Sequence, residues 1–198
     1  MALWPLIALY LYKNKSIQDA TLWVIIGGLM FLPAKSAIDL PFFPSLGKDS
    51  IPVISALIGC WVIKNKRISY VRGLGKLKYL AILFVTVPFI TAGLNSDLVN
   101  IGGHILPSLT YYDGLSATIN QFIIIIPFFI GRQFFRTYEH QLILFKMLVM
   151  AGLLYSLPIF FEVRMSPQLH GWVYGYSPFD FSQQIRFGGF RPVVFMGH

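Results

Sequence analysis

The chain has 198 residues, of which 56% are hydrophobic and only 12% charged, and it carries a formal net charge of +8. A soluble domain has about 25% charged residues, so half that complement leaves too little polar surface to keep a protein of this size in water. The same hydrophobicity excludes intrinsic disorder, and the expectation is an all-α, polytopic integral membrane protein.

Apolar runs punctuated by charge predict about six transmembrane helices, at 2–12, 17–34, 50–63, 79–96, 114–131 and 141–161. A bilayer core of ~30 Å asks for about 20 apolar residues per helix. The last three runs reach that length. The second does so by including Gln18 and Asp19, and the first and third are short. Cys60, the single cysteine, lies in the third run and reads as a small buried side chain; alone it excludes an internal disulfide and any multi-cysteine metal site. Gly27 and Gly28 permit close helix approach. Pro88, Pro127 and Pro158 fit membrane helices, where neighbours re-satisfy freed backbone groups. Asn120 and Gln121, at membrane depth in the fifth run, read as interhelical hydrogen-bonding groups.

Loop charge sets the orientation. The segment Lys64 to Lys78 holds six basic residues and no acid, which places it in the cytoplasm. Alternation then puts Lys13, Lys15, Arg132, Arg136 and Lys146 on the same side, with only Lys35, Lys48, Arg164, Arg186 and Arg191 outside. The N-terminus and the stretch 162–198 fall outside. The basic residues sit between apolar runs rather than along one solvated face, so the high net charge does not point to nucleic acid. The chain therefore divides into a helical bundle, 1–161, and an external loop, 162–198.

Two external segments carry candidate chemistry. The first, KSAIDLPFFPSLGKDS at 35–50, has the helix breakers Pro41 and Pro44. Its Phe42-Phe43 pair suits an interfacial anchor or a lipid contact. The second is the 37-residue tail EVRMSPQLHGWVYGYSPFDFSQQIRFGGFRPVVFMGH, with eight aromatics and five glycines. Arg164, Arg186 and Arg191 stand on the face where basic residues are scarce. Arginine presents a planar fork that matches phosphate bidentately, and aromatics such as Tyr174 suit sugar rings. The alternative is a loop held by Glu162–Arg164 and Asp180–Arg186 ion pairs. His104 reads as a satisfied loop histidine and His140 as a solvated or capping group. No nucleotide-binding, metalloprotease or hydrolase motif is present.

The strings EVRMSPQLHGWVYGY (162–176) and RFGGFRPVVFMGH (186–198) resemble the external loop of bacterial O-antigen ligase and polymerase-like membrane proteins. FLPAKSAIDLPFFP (31–44), YYDGLSATINQ (111–121) and PFFIGRQFF (127–135) extend the resemblance along the chain. It implies a glycan ligase or polymerase in the bacterial inner membrane, acting at the periplasmic face without a metal ion or other cofactor. Such an enzyme moves a glycan from an undecaprenyl-pyrophosphate donor to a saccharide or lipid-linked acceptor. Arginines in its external loops hold the pyrophosphate, and an Arg followed by ten residues and a Gly recurs in the polymerases. Arg164 to Gly175 and Arg186 to Gly197 have that spacing. The implied substrate-binding set is Arg164, Arg186, Arg191, Glu162, His170 and Tyr174. Family members are about twice as long, with a second external loop bearing a functional histidine, so the expectation is an N-terminal fragment with no assignable catalytic base. A non-enzymatic transporter or flippase component is the alternative. It would more often place ionisable groups within its helices.

Overall fold

A computed structural model describes residues 1–39, 43–71, 73–102, 104–186 and 188–196, and it is mostly helical. Each predicted run is a helix. α1 spans Trp4–Asn14, α2 Ile17–Phe31, α3 Ser50–Ile58 with a π turn over Gly59–Ile63, α4 Leu77–Leu94, α5 Tyr111–Phe134 and α6 Tyr138–Met165. Capping sets several of these starts. Ser16 Oγ accepts from Asp19 N, and Thr110 with Asp113 forms a reciprocal capping box. That box starts α5 three residues before the apolar run does. Thr137 Oγ1 accepts from His140 N and starts α6 early in the same way.

Among the described residues, three helices are long and apolar enough to cross a membrane: α4, α5 and α6. At 1.5 Å per residue they measure roughly 27, 36 and 42 Å. The six-span expectation is met by length only there. α2 stops at Phe31 because Pro33 follows, and the α3 segment is bounded by Asp49 and Lys64, so both are shorter apolar helices.

α1, α2 and α3 pack against one another, α3 also meets α5, and α2 meets α6. Their common core holds Ala8, Tyr12, Ala20, Val24, Ala56, Cys60 and Ile126. Small residues make the close crossings possible. A Cβ on Gly28 would lie 2.3 Å from Pro52 Cγ, and one on Gly59 would lie 2.2 Å from the Tyr12 ring. Inside this core, Thr21 Oγ1 donates to Ile17 O at 2.6 Å and accepts from Tyr12 Oη at 2.7 Å, while the buried Cys60 thiol donates to Tyr12 Oη. α4 leans mainly on α5 and leaves Leu80, Leu83 and Ile90 exposed. Asn120 is also exposed, while Gln121 lies between α5 and α4 in an apolar groove; among the described residues neither side chain makes the expected interhelical bond.

The two ends of the bundle differ in charge. At one end Lys64 Nζ donates to Lys15 O, and Gln18 meets His140 at 3.1 Å. Gln133 clamps the basic loop there through Ser69 N and Arg67 O. At the other end lie the hairpin of β1 (Ala37–Ile38) with β2 (Leu46–Gly47) and the tail. The hairpin of β3 (Val99–Ile101) with β4 (His104–Leu106) joins α4 to α5. The tail is not an open loop. α6 runs on to Met165, so Glu162 and Arg164 sit on its last turn. A short α7 (Leu169–Tyr174), a 3-10 turn (Phe181–Gln184) and a hairpin of β5 (Ile185–Arg186) with β6 (Gly189–Phe190) follow. Together they form a cap on the ends of α2 and α6.

Candidate functional site

A buried carboxylate closes the cap. Glu162 has no solvent exposure, and its Oε1 accepts from Leu169 N at 3.0 Å. Its Oε2 accepts from Val193 N at 2.8 Å and Val194 N at 2.7 Å. These three charge-assisted bonds satisfy the carboxylate through backbone amides. Val194 then packs with Met30, Ala151 and Tyr155, between α2 and α6. Tyr155 Oη accepts from Phe195 N at 3.0 Å.

His170 joins the cap to the end of α2. Its Nε2 accepts from Ala34 N at 3.2 Å, because a backbone amide can only donate, so the ring proton sits on Nδ1 and is given to Tyr176 O at 2.8 Å. Tyr174 Oη donates to Phe31 O, and Tyr176 Oη donates to Ala34 O at 2.6 Å. The rings of His170, Tyr174, Tyr176 and Phe195 pack edge-on or tilted around one another. Burial pushes the Tyr174 phenol up from its ordinary pKa.

Beside this aromatic cluster a cleft of about 630 Å³ opens between the β1–β2 hairpin and the strap 191–196. Lys35, Ser36, Lys48 and Asp49 supply its polar wall, and Leu29 and Met196 its apolar wall. Lys35 has φ +53° and holds its ammonium 4.4 Å from the centre of the Phe179 ring. Lys48 Nζ donates to Phe195 O at 2.5 Å. The Ser36 hydroxyl is buried and lacks a hydrogen-bond partner among the described residues.

Burial lowers the Lys48 amine to about 8, against the opposing pull of the Asp49 carboxylate. At pH 8 it carries on the order of a hundredfold more free amine than an ordinary lysine. Lys48 is therefore expected to be the fastest-acylated lysine in the folded protein, with a rate that reaches half its plateau near pH 8. Peptide mapping after brief treatment with an acylating reagent reads this directly, and a Lys48 rate no higher than that of exposed Lys76 would contradict it.

Of the six residues singled out from sequence, Glu162, His170 and Tyr174 come together as the framework of the cap. Glu162 makes no pair with Arg164; its oxygens are taken by the amides. Arg164 and Arg191 are exposed and lie outside the lining of the cleft, while Arg191 N donates to Gln184 O at 2.7 Å. The Arg186 backbone is in β5, but its side chain, and with it the expected Asp180–Arg186 pair, lies outside the described residues. Pro41, Phe42, Gly197 and His198 lie outside them too. Sequence reasoning singled out the segment 35–50 for its Phe42-Phe43 pair and gave Lys35, Ser36 and Lys48 no role. The visible signal was two lysines flanking a proline-rich segment on the arm where basic residues are scarce.

No protein-family model, no curated protein and no solved structure matches this chain.

Proposed function

We propose that the chain is a multi-pass protein of the bacterial inner membrane that works on a lipid-linked glycan at its periplasmic face, as a glycan ligase or polymerase of the O-antigen ligase type. The observation that carries this reading is the folded cap: polar, arginine-bearing chemistry gathered on one end of an apolar bundle, opposite the lysine-rich end. In the reaction, an acceptor hydroxyl attacks the anomeric carbon of the donor sugar. The bond from that carbon to the diphosphate breaks, undecaprenyl diphosphate leaves, and the hydroxyl proton passes to a base.

The exposed guanidiniums of Arg164 and Arg191 suit the developing negative charge on the diphosphate, and Arg186 joins them in this reading. Among the described residues no hydrogen bond engages the Arg164 or Arg191 guanidinium, and the Arg186 backbone lies in the β5–β6 hairpin. Glu162 and His170 position the cap rather than touch substrate, and Tyr174 is half-buried beside them with its hydroxyl engaged. The sparse ionisable groups within α4, α5 and α6 favour this surface chemistry over conduction by a transporter or flippase component.

Two measurements test the reading. In a Cys60→Ala background, an impermeant thiol reagent should label Ser182→Cys from outside and spare Val71→Cys; both positions are exposed. The reverse pattern would overturn the topology. In the source bacterium, loss of the gene should remove mature polysaccharide and accumulate the undecaprenyl-diphosphate-linked glycan. Arg164→Lys with Arg191→Lys should reproduce that defect at normal protein level. A mutant with normal polysaccharide would reject glycan transfer, and lipid-linked glycan trapped on the cytoplasmic face would favour a flippase component.

A further inference from the structure

The cleft between the β1–β2 hairpin and the strap holds two cations whose contacts with the cap leave part of their hydrogen-bonding capacity unused. Lys35 is exposed, and its ammonium lies over one ring face with its N–H groups still available. Lys48 uses one N–H on Phe195 O and keeps two. Between them Ser36 contributes a buried hydroxyl with no partner among the described residues, and an unpaired buried polar group is costly unless something else satisfies it. α3 begins at Ser50 with no side chain capping its first amides, so its positive end adds to the field. One carboxylate, Asp49, faces the cleft and offsets one of the two lysines. The balance favours an anion.

The opposite wall is apolar. Leu29, on the last turns of α2, and Met196, on the strap, line it, and Phe31 is exposed next along α2. The cleft therefore sits where an apolar helix surface gives way to a cationic, hydroxyl-bearing pocket. That is the geometry of a ligand with a charged head and a hydrocarbon body. A dissolved anion would make no use of the apolar wall.

We propose that this cleft binds the phosphate-bearing headgroup of a membrane lipid, with Lys35, Lys48 and Ser36 holding the phosphate oxygens and Leu29 and Met196 receiving the first part of the chain. The site stands independently of glycan transfer: a ligase, a polymerase or a transporter would each carry it. The headgroup can come from an ordinary anionic phospholipid or from a lipid-linked diphosphate, and both present the same oxygens.

The test measures binding without any transfer reaction. The full chain is placed in phosphatidylcholine nanodiscs, and retention of a radiolabelled long-chain isoprenyl diphosphate is measured. The double variant Lys35→Asn/Lys48→Gln removes both charges, keeps a donor for Phe195 O and puts a residue tolerant of positive φ at 35. It should weaken retention at least tenfold. Ser36→Ala breaks no side-chain hydrogen bond among the described residues, and it should weaken retention a few-fold. Inorganic pyrophosphate should compete poorly, because it lacks the chain. Displacement by added phosphatidylglycerol would identify ordinary phospholipid as the occupant, and resistance to it would identify a lipid-linked diphosphate. Unchanged retention in the double variant with a native thermal midpoint, or in Ser36→Ala if the double variant does not fold, would overturn the site. Loss of polysaccharide in cells with retention intact would bear only on transfer.

Discussion

Replacing Glu162 with Ala is expected to open the cap while leaving the helices in place. The carboxylate accepts three backbone N–H groups and has no access to water. A hydrogen bond to a charged group contributes about 1.5–3 kcal/mol, and the three amides left behind lose their acceptor. Allowing for partial rescue by water, the local loss is about 4 kcal/mol, which corresponds to on the order of a thousandfold faster opening of the strap. Hydrogen exchange read by mass spectrometry should show that change at Val193 and Val194 and almost none in α5. Glu162→Gln should fall between, since it offers one acceptor and turns an NH2 toward a donor. Unaltered exchange at Val193 and Val194 in Glu162→Ala would mean that packing of Val194 alone holds the strap.

The second large effect contrasts two glycine-to-alanine changes in the bundle. In Gly28→Ala the new methyl would sit 2.3 Å from a ring carbon of Pro52, and a proline ring cannot swing aside. Overpacking of this kind costs roughly 1–3 kcal/mol. Gly152, on α6, has nothing within 4 Å of an added Cβ, and removing a glycine from a helix interior contributes about 0.5–1 kcal/mol. Thermal unfolding in detergent should thus move down by several degrees for Gly28→Ala and slightly up for Gly152→Ala. Equal shifts would show that α2 and α3 separate more easily than their contact suggests.

The helices were legible because each is an apolar run ended by charge or proline. Lys13 and Lys15 close α1, Pro33 stops α2, and Lys64 closes the α3 segment. Their edges were less so: Tyr111, Tyr112 and Asp113 read as loop, yet the Thr110–Asp113 box makes them the first turn of α5. The cap was nearly illegible. Glu162 is answered by backbone amides up to 32 residues away, and amides carry no side-chain signature. His170 reads as a lone histidine until Ala34, 136 residues earlier, meets its ring. The convergence of Lys35 and Lys48 depends on the β1–β2 hairpin and on Phe195, 147 residues beyond Lys48. The arginines stood out by scarcity, a signal of sidedness that says nothing about which cavity they face.

The latch that holds the strap also fixes its alignment. Glu162 reads main-chain donors, so at position 193 any residue with an amide hydrogen serves. Pro192 has none. A slip of the strap by one residue in one direction would present proline to the carboxylate and lose a bond. The opposite slip would bring Phe195 to the hole between α2 and α6 that Val194 fills without exposure. Substitution at 193 must therefore keep an amide hydrogen as well as a side chain that fits its buried place, and an insertion or deletion between 191 and 194 would break the register. A short stretch of chain keeps one register through a missing hydrogen on one side and a filled hole on the other.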